Sequence, residues 1–152
     1  MCRPVVIVLF LLSLLLAGCD TAPRTSDKDL NHLAYRDVKE MLADSTEKRP
    51  VVLVDLRNAD QFAKGHIPGA LNIPYSELRA GDERLEKAHK IIIYAESYRG
   101  QYPDVAAKKL MSLGYKESYS FAGGWNEWLK GEGLTPADPA KDAPKETKDS
   151  GK

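Results

Sequence analysis

Hydrophobic positions in the middle of the chain fall into short runs that alternate with helical stripes. Val38, Met41 and Leu42 recur at helical spacing and predict a helix over Tyr35–Ala43. Val51, Val52, Leu53 and Val54 form a continuous β-branched run, short enough to be a strand buried on both faces. Asn58, with Gln61 three residues on, reads as an N-cap with a reciprocal glutamine, opening a short helix that Gly65 ends. Ala70 to Ile73 predicts a brief strand, followed by Pro74 and a helix from Ser76. Ile91 to Tyr94 is the next buried strand. Beyond a polar loop from Ala95 to Pro103, Val105, Ala106, Leu110 and Leu113 predict the inner side of a helix over 104–113, closed by Gly114. Ser118 to Phe121 gives a further strand, and Gly123-Gly124 turns into a helix carrying Trp125, Trp128 and Leu129.

Strands alternating with helices predict an α/β fold, a mainly parallel sheet with helices on both faces. Ligands of such sheets sit at the carboxyl ends of the strands, which directs attention to the loops after Val54 and after Tyr94.

The two ends of the chain lack this alternation. Val5 to Leu16 is apolar except for Ser13, follows Arg3, and at about a dozen residues is short of the ~20 needed to span a bilayer. Residues 1–18 therefore read as a signal peptide rather than an anchor helix. Leu16-Ala17-Gly18-Cys19 resembles the bacterial lipobox, which implies cleavage before Cys19 and attachment of a diacylglyceryl group to its sulfur. Two or three acyl chains anchor stably where one is marginal. Asp20 after that cysteine resembles an inner-membrane retention signal, so the expected location is the periplasmic face of the inner membrane. Asp20 to Asp27 is polar and aperiodic, and residues 19–27 read as lipidated cysteine and tether. Eight such residues reach ~26 Å at most and average ~16 Å as a flexible coil. Residues 135–152 contain three prolines and no aromatic or large aliphatic residue, so they read as a disordered tail. Residues 28–134 remain as one domain of ordinary size.

Composition narrows function more than fold. The chain holds 22 Lys+Arg against 22 Asp+Glu, and loss of Arg3 with the signal leaves a net charge of about −1. No basic excess supports an electrostatic nucleic-acid binder. Cys2 and Cys19 are the two cysteines, which excludes a disulfide-dense fold and leaves residues 20–152 without a thiol.

The residues Val51 to Arg57, Phe62, Gly65-His66-Ile67-Pro68-Gly69-Ala70 and Asn72-Ile73-Pro74 are similar to the first signature of the rhodanese family. Phe121 to Trp125, with Trp128, resembles its second signature, and Leu110 to Tyr115 fits the helix after its active-site loop. The resemblance spans nearly all of residues 30–134 and implies sulfur transfer through a cysteine persulfide. A cradle of backbone N–H groups and a helix N-terminus would stabilise the anion. The family places its cysteine directly after the terminal tyrosine of the central strand. Ala95 stands there, and a methyl group cannot carry sulfur. The expectation is a catalytically inactive domain that binds or scaffolds an envelope protein partner. The alternative is a sulfurtransferase-related protein that binds a sulfur-containing anion, or a sulfur-carrying partner, without its own persulfide.

The loop after Ala95 is about two residues longer than the sulfurtransferase pattern. Glu96, Ser97, Tyr98, Arg99, Gly100 and Gln101 form the candidate ligand loop; a drifted surface loop without a ligand is the competing reading. Tyr98 and Tyr102 are either exposed recognition aromatics or packing residues. His66 reads as framework, as do Asp55 and Arg57, while His32 and His89 have no partners at metal-ligand spacing. Trp125 and Trp128 are expected to pack into the domain. No metal or cofactor is expected.

Overall fold

A computed structural model describes residues 30–97, 102–132 and 134. Five strands, β1 (Asn31–His32), β2 (Val51–Asp55), β3 (Leu71–Asn72), β4 (Lys90–Tyr94) and β5 (Ser118–Phe121), form one sheet in the order β1-β5-β4-β2-β3. Every pairing is parallel. Among the described residues, α1 (Tyr35–Ala43), α2 (Ala59–Lys64) and α3 (Tyr102–Ser112) lie between strands, and α4 (Gly124–Gly131) follows β5. Among the described residues no helix is long and apolar enough to cross a membrane.

The expected α/β architecture follows from the way side chains alternate along the central strands. Leu53, Ile92 and Tyr94 face one layer, where Val38 of α1 and Trp125, Trp128 and Leu129 of α4 cover them. Phe62 of α2 packs at the edge of the same core. Val54, Ile91 and Ile93 face the other layer, under Ala106, Ala107 and Leu110 of α3. β4 is therefore buried on both faces, with Ile91, Ile92, Ile93 and Tyr94 essentially inaccessible. At ~25 cal/mol per Å² of apolar surface, each such side chain contributes roughly 1.5–3 kcal/mol.

Helix ends follow their sequence signals in part, the α2 cap being made by Asn58 without the expected return contact from the Gln61 side chain. Asn58 Oδ1 accepts the Gln61 N–H at 2.8 Å and caps α2. Ala34 precedes α1 and has no capping side chain. Asp37 accepts the Ala34 N–H at 2.9 Å and Glu127 of α4 accepts the Tyr35 N–H at 2.8 Å, so α1 is capped partly by another helix. Gly114 closes α3 with φ +101°, a left-handed conformation that favours glycine.

Four expectations need correction, and one strand was not expected at all. The helix expected over 104–113 runs Tyr102–Ser112 and takes in the end of the expected loop. Val105 points outward and is 44% exposed, because its direction on α3 lies roughly 140° from Leu110 at ~100° per residue. The helix expected from Ser76 is a three-residue 3-10 turn, Tyr75–Glu77. The strand expected over 70–73 pairs only through Leu71 and Asn72. β1 was not foreseen: Asn31 and His32 are polar, and only their register with Tyr119 and Ser120 makes them a strand.

Candidate active-site pole

Ala95 follows the last residue of β4 at the carboxyl end of the sheet, and two neighbours fix the chain there. The Trp125 N–H donates to the Ala95 carbonyl at 2.9 Å and the Asn126 N–H to the Glu96 carbonyl at 3.0 Å. These are first-turn amides of α4, which have no partner within their own helix. The approach requires Gly124: its φ is +58°, and a Cβ placed there would lie 2.3 Å from the Ala95 oxygen.

Beside Ala95 lies a buried ion pair. Asp55, the last residue of β2, is inaccessible, and the Arg57 side chain is 5% exposed. Arg57 Nη2 donates to Asp55 Oδ2 at 2.7 Å and to the Gly65 carbonyl at 2.7 Å, while Nε donates to both Asp55 oxygens at 3.1 Å. Its guanidinium carbon lies 5.2 Å from the centre of the Trp125 ring. Burial opposes the Arg57 charge, but the hydrogen bonds and charge of Asp55 outweigh it and hold the guanidinium pKa above its ordinary value. The remaining nitrogen, Nη1, reaches across to Glu96 Oε2 at 3.3 Å.

Tyr94 closes the underside of this cluster. Its hydroxyl oxygen accepts the Ile67 N–H at 3.1 Å. Burial, and then the nearby Asp55 charge, push the phenol well above its usual range, so it stays neutral. Asn72 Nδ2 donates to the carbonyls of Asp55 and Arg57 at 3.1 and 2.7 Å, tying β3 to the same turn. Residues that resembled family signatures thus meet here beside Tyr94: Asp55, Arg57, Gly65, Ile67, Asn72 and Trp125.

On the far side of β5, Ser120 donates its hydroxyl to Asp104 Oδ1 at 2.5 Å, and His32 Nδ1 lies 3.5 Å from the same oxygen. The residue types match those of a hydrolytic triad, but the roles do not. Ser120 is inaccessible and bonds to the carboxylate rather than to histidine, so no base activates it toward a substrate.

Of the candidate loop, Glu96 and Ser97 are described; Tyr98, Arg99, Gly100 and Gln101 lie outside the described residues, as does Cys19. Tyr102 is 64% exposed. His66 stacks on Phe62 at 3.8 Å between ring centres, and its Nδ1 lies 3.0 Å from the Phe62 carbonyl. His89 Nε2 lies 2.9 Å from Arg49 Nη2 at the opposite end of the sheet. Trp125 and Trp128 are buried. Among the described residues no three His, Cys, Asp or Glu side chains converge as metal ligands do. The Glu96–Arg57 contact escaped sequence reasoning, because 39 positions separate the partners and only the parallel register of β2 and β4 joins them.

A family model for the rhodanese-like domain matches residues 36–131. The chain belongs to the rhodanese-like family. A thiosulfate sulfurtransferase, GlpE, of Coxiella burnetii is 29% identical over 97 residues, covering 63% of this chain and 89% of that protein. A human thiosulfate:glutathione sulfurtransferase is 35% identical over 95 residues, covering 53% and 80% respectively. The crystal structure of the Bacillus halodurans protein BH2092 superposes with a TM-score of 0.59 at 26% identity, covering 69% of this chain and 75% of that one. A cleft of about 440 Å³ opens at the other pole, lined by residues such as Leu85, His89, Ile91 and Lys116, and lacks a comparable convergence of buried charge.

Proposed function

We propose that this rhodanese-like domain binds rather than catalyses, and that a lipid on Cys19 holds it at the periplasmic face of the inner membrane. The observation that carries the reading is chemical. Residues 20–152 contain no thiol, and the backbone position that follows the central strand, where the family keeps its nucleophile, holds Ala95. The framework around that position is intact: Asp55, Arg57 and Gly65 are bonded to one another, and Gly124 and Trp125 still grip the loop's first carbonyl. A preserved frame without a nucleophile suits recognition of an envelope protein at the carboxyl pole, with no metal or cofactor required.

The topology bears on how such a module would be presented. Leu30 enters β1 at the amino ends of the strands, and Ala95 leaves β4 at their carboxyl ends. A tether from Cys19 would therefore attach to the pole opposite the candidate loop.

A second reading draws on the relatives, which are named as thiosulfate and thiosulfate:glutathione sulfurtransferases. In it, the loop receives a sulfur-containing anion, or a sulfur-carrying partner, without forming a persulfide of its own.

Anchorage is tested by labelling cells with radioactive palmitate. The wild-type chain incorporates label and stays with the membrane fraction, whereas Cys19→Ser does neither. Crosslinking in native membranes tests the binding role. A partner crosslinked by the wild type and lost when residues 96–101 are replaced with Gly-Ser supports it; an unchanged pattern contradicts a loop-based site.

A further inference from the structure

Arg57 is the one buried cation at the carboxyl pole among the described residues, and the disposition of its nitrogens limits what it can do. Nε and Nη2 are committed to Asp55 and to the Gly65 carbonyl, both inside the fold. Nη1 faces the start of the loop and is met by Glu96 Oε2 at 3.3 Å. The two partners differ in accessibility: the Arg57 side chain is 5% exposed and that of Glu96 49%. Glu96 thus reaches inward from solvent to a fixed guanidinium, as an external carboxylate or oxyanion would.

We infer that Glu96 is a built-in blocking anion. It holds Arg57 Nη1 and keeps free oxyanions, thiosulfate and sulfate among them, away from the loop end. Asp55, Arg57 and Glu96 together carry a net charge of −1, so an entering oxyanion meets a carboxylate in place of a free donor. Removing the Glu96 charge leaves Asp55 and Arg57 neutral as a pair, and removing its side chain also frees Nη1 as a directed N–H donor. Glu96 is therefore a specificity-determining residue that discriminates against small anions. The inference deepens the binding-module reading and rests on it for the location of the site.

Because Glu96 is half exposed and Asp55 and the Gly65 carbonyl still hold Arg57, Glu96→Gln and Glu96→Ala should both remain folded. Thiosulfate and sulfate are titrated into the detergent-solubilised full chain at constant ionic strength. Affinity is read by calorimetry, and the position of the ion by the Arg57 Nε–H resonance. The wild type should show no saturable binding at millimolar anion. Both variants should bind more tightly, Glu96→Ala by at least tenfold and Glu96→Gln by less because its amide oxygen still meets Nη1, with the Arg57 resonance shifting as the site fills. Equal affinity of wild type and variants, or binding by none of them, overturns the inference. So does tighter binding that leaves the Arg57 resonance unmoved. Turnover of thiosulfate by the wild type would instead sink the binding-module reading, while the affinity ratio would still decide the role of Glu96.

Discussion

A guanidinium at 5% exposure is too costly to bury alone, so Asp55 and Arg57 must be understood as one unit. Truncating either partner leaves an uncompensated charge inside the fold. Asp55→Ala should cost about 3–5 kcal/mol in urea unfolding, and a loss below ~1 kcal/mol would contradict the pairing. A second pair gives a pH signature. Asp82 is buried and accepts from Arg84 Nε and Nη2 at 2.9 and 2.7 Å, and these bonds hold its carboxyl at about 2. A depressed folded pKa contributes stability above the ordinary value of 3.8, and that contribution is lost as pH falls from there through about 2. After allowance for the partly exposed Arg84, the contribution is on the order of 1–2 kcal/mol. Asp82→Asn should therefore destabilise at pH 6, with the difference from wild type shrinking by pH 2. A pH-independent difference would argue against the pair. At this scale the sequence is legible only locally. Asp55 and Arg57 were legible as framework but not as a pair, and Glu96 carries no mark of belonging to Arg57.

Elements were readable to the extent that burial leaves a period. α1 and β5 have the limits expected from their stripes, and β4 differs only by including Lys90. Val105 shows the limit of that reading: its apolarity suggests the core, yet the angular position set by Ala106 and Leu110 turns it outward. Leu110→Ala should destabilise by roughly 2–5 kcal/mol, while Val105→Ser should stay within about 0.5 kcal/mol of wild type. Similar losses for both would refute the placement of α3. The junction of α4 with the loop is tighter. Gly124→Ala combines left-handed backbone with a contact 2.3 Å from the Ala95 oxygen, so a loss of about 2 kcal/mol or more in thermal or urea unfolding is expected. The glycine pair was visible in sequence as a turn; its role in seating the loop was not, since that depends on a strand 29 residues earlier meeting the helix.

For the molecule as a whole, the parallel sheet separates two poles, one receiving the chain from the amino-terminal side and one carrying Ala95. The family signatures made this architecture legible because GHIPGA and the Phe121–Trp125 block mark fixed points of the sheet. They did not disclose how charge is shared between the elements at the carboxyl pole. Under the anchoring proposal, Lys116 at the amino pole should lie nearer the bilayer than Glu96. The mature chain's one cysteine is expected to be lipidated, so a single introduced cysteine is a clean labelling site. A fluorophore on Lys116→Cys should be quenched more by brominated lipids than one on Glu96→Cys; the reverse order would contradict the orientation.

Under the binding role proposed above, this domain alone does not move sulfur. Purified residues 20–152 incubated with thiosulfate and cyanide test it most directly, with thiocyanate as the readout. No thiocyanate above the protein-free blank is expected. Clear turnover by this thiol-free chain would contradict it.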